Sequence, residues 1–166
     1  MKKIIRLAIV LLCIGMLAGC GSKADGGTDA VQMKDGNTLQ TVVDRIEDEV
    51  GIQMSADIDD QLFADLFYID PEADVEEYAG KMAMSMTSAD NVVAVKAKPE
   101  SRQKVLDGLN KRLADVQASF EQYLPDQYEK SQRGLVIEKG DYLFLLIVGE
   151  TSEDQEKAQE IITEAF

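Results

Sequence analysis

Leu17-Ala18-Gly19-Cys20 is the segment of this 166-residue chain with the most definite chemistry. A cysteine directly preceded by two small residues, with a leucine three positions before it, is the pattern of a lipobox. There a signal segment is cut away immediately before the cysteine, whose thiol carries a diacylglyceryl group. Lys2, Lys3 and Arg6 supply the positive start of such a signal, and Ile4 to Met16 its apolar middle, broken only by Arg6 and Gly15. That run is shorter than the roughly 20 residues a bilayer span needs. The expectation is cleavage after Gly19 and a thioether on Cys20, holding the mature chain on the extracytoplasmic face of a cell membrane. An ordinary membrane anchor with an incidental cysteine is the competing reading, and it leaves the small pair unexplained. One acyl chain binds a membrane only marginally, whereas two or three on one cysteine anchor it stably.

The residue inventory narrows the remaining chemistry. The chain has no histidine, which removes Ser-His-Asp hydrolysis and histidine-based metal hydrolysis. Its other cysteine, Cys13, lies in the segment expected to be discarded, so no free thiol, disulfide or thiolate ligand is expected in the mature protein. The formal charge of −14 becomes −17 once the three signal cations are gone, which argues against nucleic acid as a partner. Carboxylate pairs and a Ser-Lys dyad remain possible.

Three constellations stand out. Met82, Met84 and Met86 alternate along one strand-like segment. Thioethers so spaced could hold Cu(I), but they also fill the inward face of a half-buried strand, and packing is the expected role. Asp57, Asp59, Asp60, Asp65, Asp70, Glu72 and Asp74 could serve calcium, yet they lack the EF-hand spacing and suit helix N-terminal turns. Neither a metal nor a cofactor is expected. Tyr123-Leu124-Pro125-Asp126-Gln127-Tyr128 puts two tyrosines around a proline at a helix break. Tyr123, Pro125 and Tyr128 are the candidate partner surface, although the same residues could pin a loop to a helix end.

Charge is uneven as well. Residues 44–78 carry thirteen acids against Arg45, and residues 96–112 carry six cations against two acids. Solvated helix faces account for this, and a dipole that orients the domain on an anionic membrane or a basic partner is the alternative.

These residues need elements to position them. Residues 1–19 read as the signal and 20–37 as the lipidated cysteine with a flexible Gly-rich tether reaching roughly 20–25 Å. Residues 38–166 read as one domain. Leu39, Val42, Val43, Ile46 and Val50 predict a helix over 38–50 with Asn37 as its cap and Gln40 at the capping-box position. A second helix is predicted at 59–67 and a helical turn from Asp70-Pro71. Strands at 79–86 and 91–98 form a hairpin, followed by a long helix from Pro99 to about Tyr123 that Pro125 ends or re-aims. A second hairpin joins 135–138 to 142–148, whose uniformly apolar run predicts a central strand. A last helix starts from a capping box at Ser152 and Gln155. The fold class is α+β: two hairpins in one antiparallel sheet, with helices packed mainly on one face.

The chain resembles a family of bacterial lipoproteins known as domain of unknown function 4358, from Gram-positive and mostly anaerobic species. The likeness is carried by the lipobox, Glu77-Tyr78-Ala79 with the methionine strand and the Ser88-Ala89-Asp90 turn, the Phe120 to Tyr128 segment, and Lys139-Gly140-Asp141-Tyr142. It implies a shared fold over about 39–166 and a cell-surface location, and it carries over no activity. The functional expectation is a non-enzymatic, lipid-anchored module that binds an envelope protein or a wall component. A small-ligand or cation-binding lipoprotein is the alternative, and a carboxylate-dependent enzyme is a third.

Overall fold

The computed structural model describes residues 31–166. Cys20, the signal segment and the first part of the expected tether lie outside the described residues. The end of that tether is docked: the Lys34 amide donates to the Ala165 carbonyl at 2.8 Å, and Met33 packs beside the C-terminal helix.

Helix α1 (Leu39–Val50) is capped by Thr38, one residue later than predicted. Thr38 Oγ1 accepts from the Thr41 amide, and Thr41 accepts in return from the Thr38 amide. Thr38 directly precedes the first apolar position, so it has the better placed oxygen. A short strand β1 (Ser55–Asp57), absent from the sequence reading, leads to α2 (Asp60–Phe67) and the turn α3 (Pro71–Asp74). Asp59 caps α2 and Asp70 caps α3 by accepting backbone amides, so two of the clustered acids act as helix starters.

Strand β2 (Val75–Ala83) pairs with β3 (Asn91–Ala97), after which a turn of 3₁₀ helix at Pro99–Ser101 enters α4 (Arg102–Phe120). A further helix, α5 (Pro125–Arg133), precedes the hairpin of β4 (Leu135–Lys139) and β5 (Tyr142–Ile147). Helix α6 (Ser152–Glu164) closes the chain, capped by Thr151 with Asp154 rather than by Ser152 with Gln155.

All five strands form one antiparallel sheet in the order β1-β2-β3-β5-β4. The fold is α+β with both hairpins in one sheet, but the helices divide between its faces, which corrects the expectation of cover mainly on one side. Val93, Val95, Leu143, Leu145 and Ile147 pack on α2 and α4, while Val92, Ala94, Phe144 and Leu146 pack on α1 and α6. Alternation along β3 and β5 therefore feeds two cores, and this is why Val92 to Val95 and Tyr142 to Ile147 are apolar on both faces. Gly108 lets α4 approach the 67–69 segment: a Cβ there would collide with the Phe67 carbonyl oxygen and lie 2.7 Å from Ile69 Cγ1.

The methionine stripe departs most from expectation. β2 ends at Ala83, so only Met82 lies in the strand and packs against the core. Met84 and Met86 stand 56% and 90% exposed in the connection to β3. The hairpin turn opens before period 2 can carry these side chains inward, and their expected role in core packing is corrected.

Candidate functional site

The connection 84–90 closes the β2–β3 hairpin beside α4 and contains little regular structure, so its backbone groups need partners from elsewhere. Ser85 and Thr87 bond to each other at 2.8 Å, and the Thr87 amide donates to Ser85 Oγ. The Ala89 amide donates to Gln127 Oε1 of α5 at 3.0 Å. Asn91 Nδ2 donates to the carbonyls of Ala89 and Asp90, and its Oδ1 accepts from Arg112 Nε and Nη2 at 3.1 and 3.0 Å.

Asp90 is the centre of this arrangement and is 3% exposed. Its Oδ2 accepts from Ser88 Oγ at 2.8 Å and from the Gln53 amide at 3.0 Å. Its Oδ1 accepts from Lys130 Nζ at 2.9 Å. Lys130, itself 2% exposed, also reaches the solvent-facing Glu150 at 2.7 Å. Burial pulls the Lys130 ammonium down, but hydrogen bonds to Glu150 and Asp90 outweigh it and hold the group above its ordinary value. Lys130 is thus a committed cation. Ser88 and Lys130 do not pair as a Ser-Lys dyad, because Asp90 stands between them and accepts a hydrogen bond from each.

Above this polar floor lies a cavity of about 280 Å³. Met82, Met86, Val116, Phe120 and Tyr123 form its apolar wall, and Ser85, Ser88, Asn91, Ser119 and Arg112 its polar one. Helix α4 supplies Arg112, Val116, Ser119 and Phe120 by the i, i+4, i+7, i+8 spacing of one helical face. Arg112 stacks over the Phe67 ring at 5.4 Å and is pulled down from its ordinary value by burial. The nearby Asp115 is occupied by Lys111 and by the Tyr68 hydroxyl. Two wet rim residues, Met86 and Tyr123, border the opening.

The structure separates the predicted Tyr-Pro-Tyr surface. Tyr123 is 64% exposed and lines the cavity. Pro125 is exposed and serves as the first residue of α5, while Tyr128 is partly buried and packs against the core. Sequence reasoning missed Asp90, Asn91, Arg112, Gln127 and Lys130 as a unit. The buried face of α5 is Gln127, Lys130 and Ser131, which has helical spacing but polar chemistry. A search for apolar periodicity passes over such a face.

A family model described as a domain of unknown function, DUF4358, matches residues 48–148. The chain belongs to the DUF4358 family. The matched stretch is narrower than 39–166: it begins within α1, ends just past β5, and leaves out α6. It takes in the whole β2–β3 hairpin, α4, α5 and every residue that lines the cavity of this DUF4358 domain. No curated protein and no solved structure matches the chain.

A second cavity of about 290 Å³ lies on the far side of Asp90, between Gln53, Gly149, Glu150 and Asp154. Its carboxylates are already engaged, Asp90 and Glu150 by Lys130 and Asp154 by the amides of Glu150 and Thr151. Among the described residues no group of three or more acidic side chains is placed to share a metal ion, and no helix is long and apolar enough to cross a membrane.

Proposed function

We propose that this DUF4358 protein is a lipid-anchored, extracytoplasmic, non-enzymatic binding module of the bacterial envelope, whose binding site is the cavity between the 84–90 connection and α4. The observation that carries the reading is the cavity's make-up. It joins an apolar wall and exposed Met86 and Tyr123 at the rim to polar groups, Ser88, Asn91 and Arg112, that are held in hydrogen bonds to Asp90 and to one another. Exposed methionine and tyrosine are adaptable contact residues, and a few fixed polar groups in an apolar hollow are what a recognition site needs.

Binding is favoured over turnover because the groups that could carry protons are spent. Ser88 donates to Asp90, and Lys130 is held charged between two carboxylates. The anchor rests on the Leu17-Ala18-Gly19-Cys20 lipobox. A tethered domain meets envelope partners at raised local concentration, so modest affinity suffices.

Two experiments test this. In cells, Cys20→Ala should abolish incorporation of a fatty-acid analogue, and label persisting in the variant would remove the anchor. A photo-crosslinking residue at position 86 or 123 should capture an envelope component that the same probe at Glu156, an exposed residue on α6, does not. Equal capture from both places would remove the site.

A further inference from the structure

Among the described residues, Arg112 is the cation of this site that lacks an acidic partner. Its Nε and Nη2 both donate to the neutral Asn91 Oδ1, and Nη1 has no protein acceptor. Lys130, by contrast, has two carboxylates, and the nearest acid of α4, Asp115, is bonded to Lys111 and Tyr68. Asp115 acts on Arg112 only at a distance, and no carboxylate among the described residues is hydrogen-bonded to this half-buried guanidinium, so an anion that bonds to it directly would offset its burial. Its planar fork favours a carboxylate. The hydroxyls of Ser85, Ser88 and Ser119 and the apolar Met82, Val116 and Phe120 line the same hollow.

We infer that the cavity recognises the free C-terminal carboxylate of a peptide whose last side chain is apolar. Arg112 receives the carboxylate, and the terminal side chain lies on Val116 and Phe120. This deepens, and rests on, the reading of the cavity as the binding site. The open rim at Met86 and Tyr123 is the reason for choosing a peptide end over a small free acid: a chain can leave through it, whereas an enclosed ligand would need it closed.

The full chain in detergent micelles is titrated calorimetrically with acetyl-Ala-Ala-Phe as free acid and as C-terminal amide. The acid should bind about tenfold or more tighter, the ratio expected for hydrogen bonds to a charged group. Arg112→Met, which keeps the stem and loses the charge, should bring the two to parity. Because Arg112 also holds Asn91, Met86→Asp serves as a second variant on a side chain that is 90% exposed. The added negative charge should weaken the acid by a clearly larger factor than the amide, narrowing the ratio between them, and leave the melting temperature unchanged. Equal binding of acid and amide to the parent chain, or binding of neither, overturns the inference, as does a folded Arg112→Met that keeps the preference. Binding of 4-phenylbutyrate as tight as that of the peptide overturns the peptide source. Should position 86 still crosslink an envelope partner while acid and amide bind alike, the site stands and the carboxylate falls. Failure of both removes the site itself.

Discussion

Replacing Lys130 by Met asks how much the domain depends on one buried cation. Lys130 and Asp90 are 2% and 3% exposed and 2.9 Å apart, so the substitution leaves a carboxylate in the interior without its counter-charge. Removing one member of such a pair costs about 3–5 kcal/mol. Asp90 keeps the Ser88 hydroxyl and the Gln53 amide, which offset part of that, and places the expectation near 3 kcal/mol. The Glu150 arm adds little, because its side chain is 74% exposed and water can replace the ammonium. In urea titrations followed by circular dichroism, Lys130→Met should lose about 3 kcal/mol, or roughly 10 °C in Tm. Glu150→Gln should lose less than about 1 kcal/mol. Adding Asp90→Asn to Lys130→Met should restore part of the loss, since a neutral amide still accepts from Ser88 and Gln53. A loss below about 1 kcal/mol in Lys130→Met, or no recovery in the double variant, would refute the view that burial sets the energy here.

Gly108→Ala should destabilise by about 1–3 kcal/mol despite alanine's better helix propensity, because the new Cβ meets the Phe67 carbonyl, which cannot swing aside. Chemical denaturation checks it, and an unchanged midpoint would show that α4 can shift. Met84→Asp should stay within about 0.5 kcal/mol of the parent, since the side chain is in water. Thermal melts decide that one, and unfolding would return the methionine to the core. Burial raises the Asp74 carboxyl, but Lys104 and the Asp70 amide lower it by more, and the net position is below the ordinary carboxylate range. Its contribution is therefore complete above the unfolded value near 3.9 and fades as pH falls through the lower folded value. Asp74→Asn should cost stability at pH 7 and flatten the stability-versus-pH curve on its acid limb, measured by urea midpoints between pH 7 and 2.

Much of the fold was legible because its signals are local. Period-2 and period-3.6 apolar patterns place α1, α2, α4, β3, β5 and α6, and proline or aspartate marks the starts of α3 and α4. What was not legible depends on contacts distant in sequence. The three residues of β1 exist as a strand because they pair with residues 81–83. A continuous apolar run such as Tyr142 to Ile147 states that both faces are covered, yet the division of helices between those faces is set by α1 and α6 meeting across the chain. The methionines followed the alternation past the end of β2, because nothing local in Lys81-Met82-Ala83-Met84 announces the turn. In the candidate site, Tyr123 was readable as an exposed aromatic at a helix break. Asp90, Arg112 and Lys130 lie 18 to 40 positions apart, and each alone reads as a solvated charge.

The polar floor itself argues for a role beyond holding the domain together. A buried ion pair replaced by well-packed apolar residues often leaves stability unchanged or raises it. The sheet above already has two apolar cores that could have extended beneath the 84–90 connection. An apolar floor, however, could not satisfy that connection's backbone. The Ala89 amide and the Ala89 and Asp90 carbonyls are held by side chains of Gln127 and Asn91, and the Gln53 amide is held by Asp90. Each is a geometric constraint, and together they tie β3, α4, α5 and the segment after α1 to one short loop. At the proposed site such a loop would already be ordered when a ligand arrived, so association would not have to supply the free energy of fixing it. Lys130 neutralises the Asp90 charge that the loop's hydrogen bonds require, and this leaves Arg112 as the positive charge facing the hollow. The same network that holds the loop thus sets the sign of the charge that a ligand of the proposed site would meet.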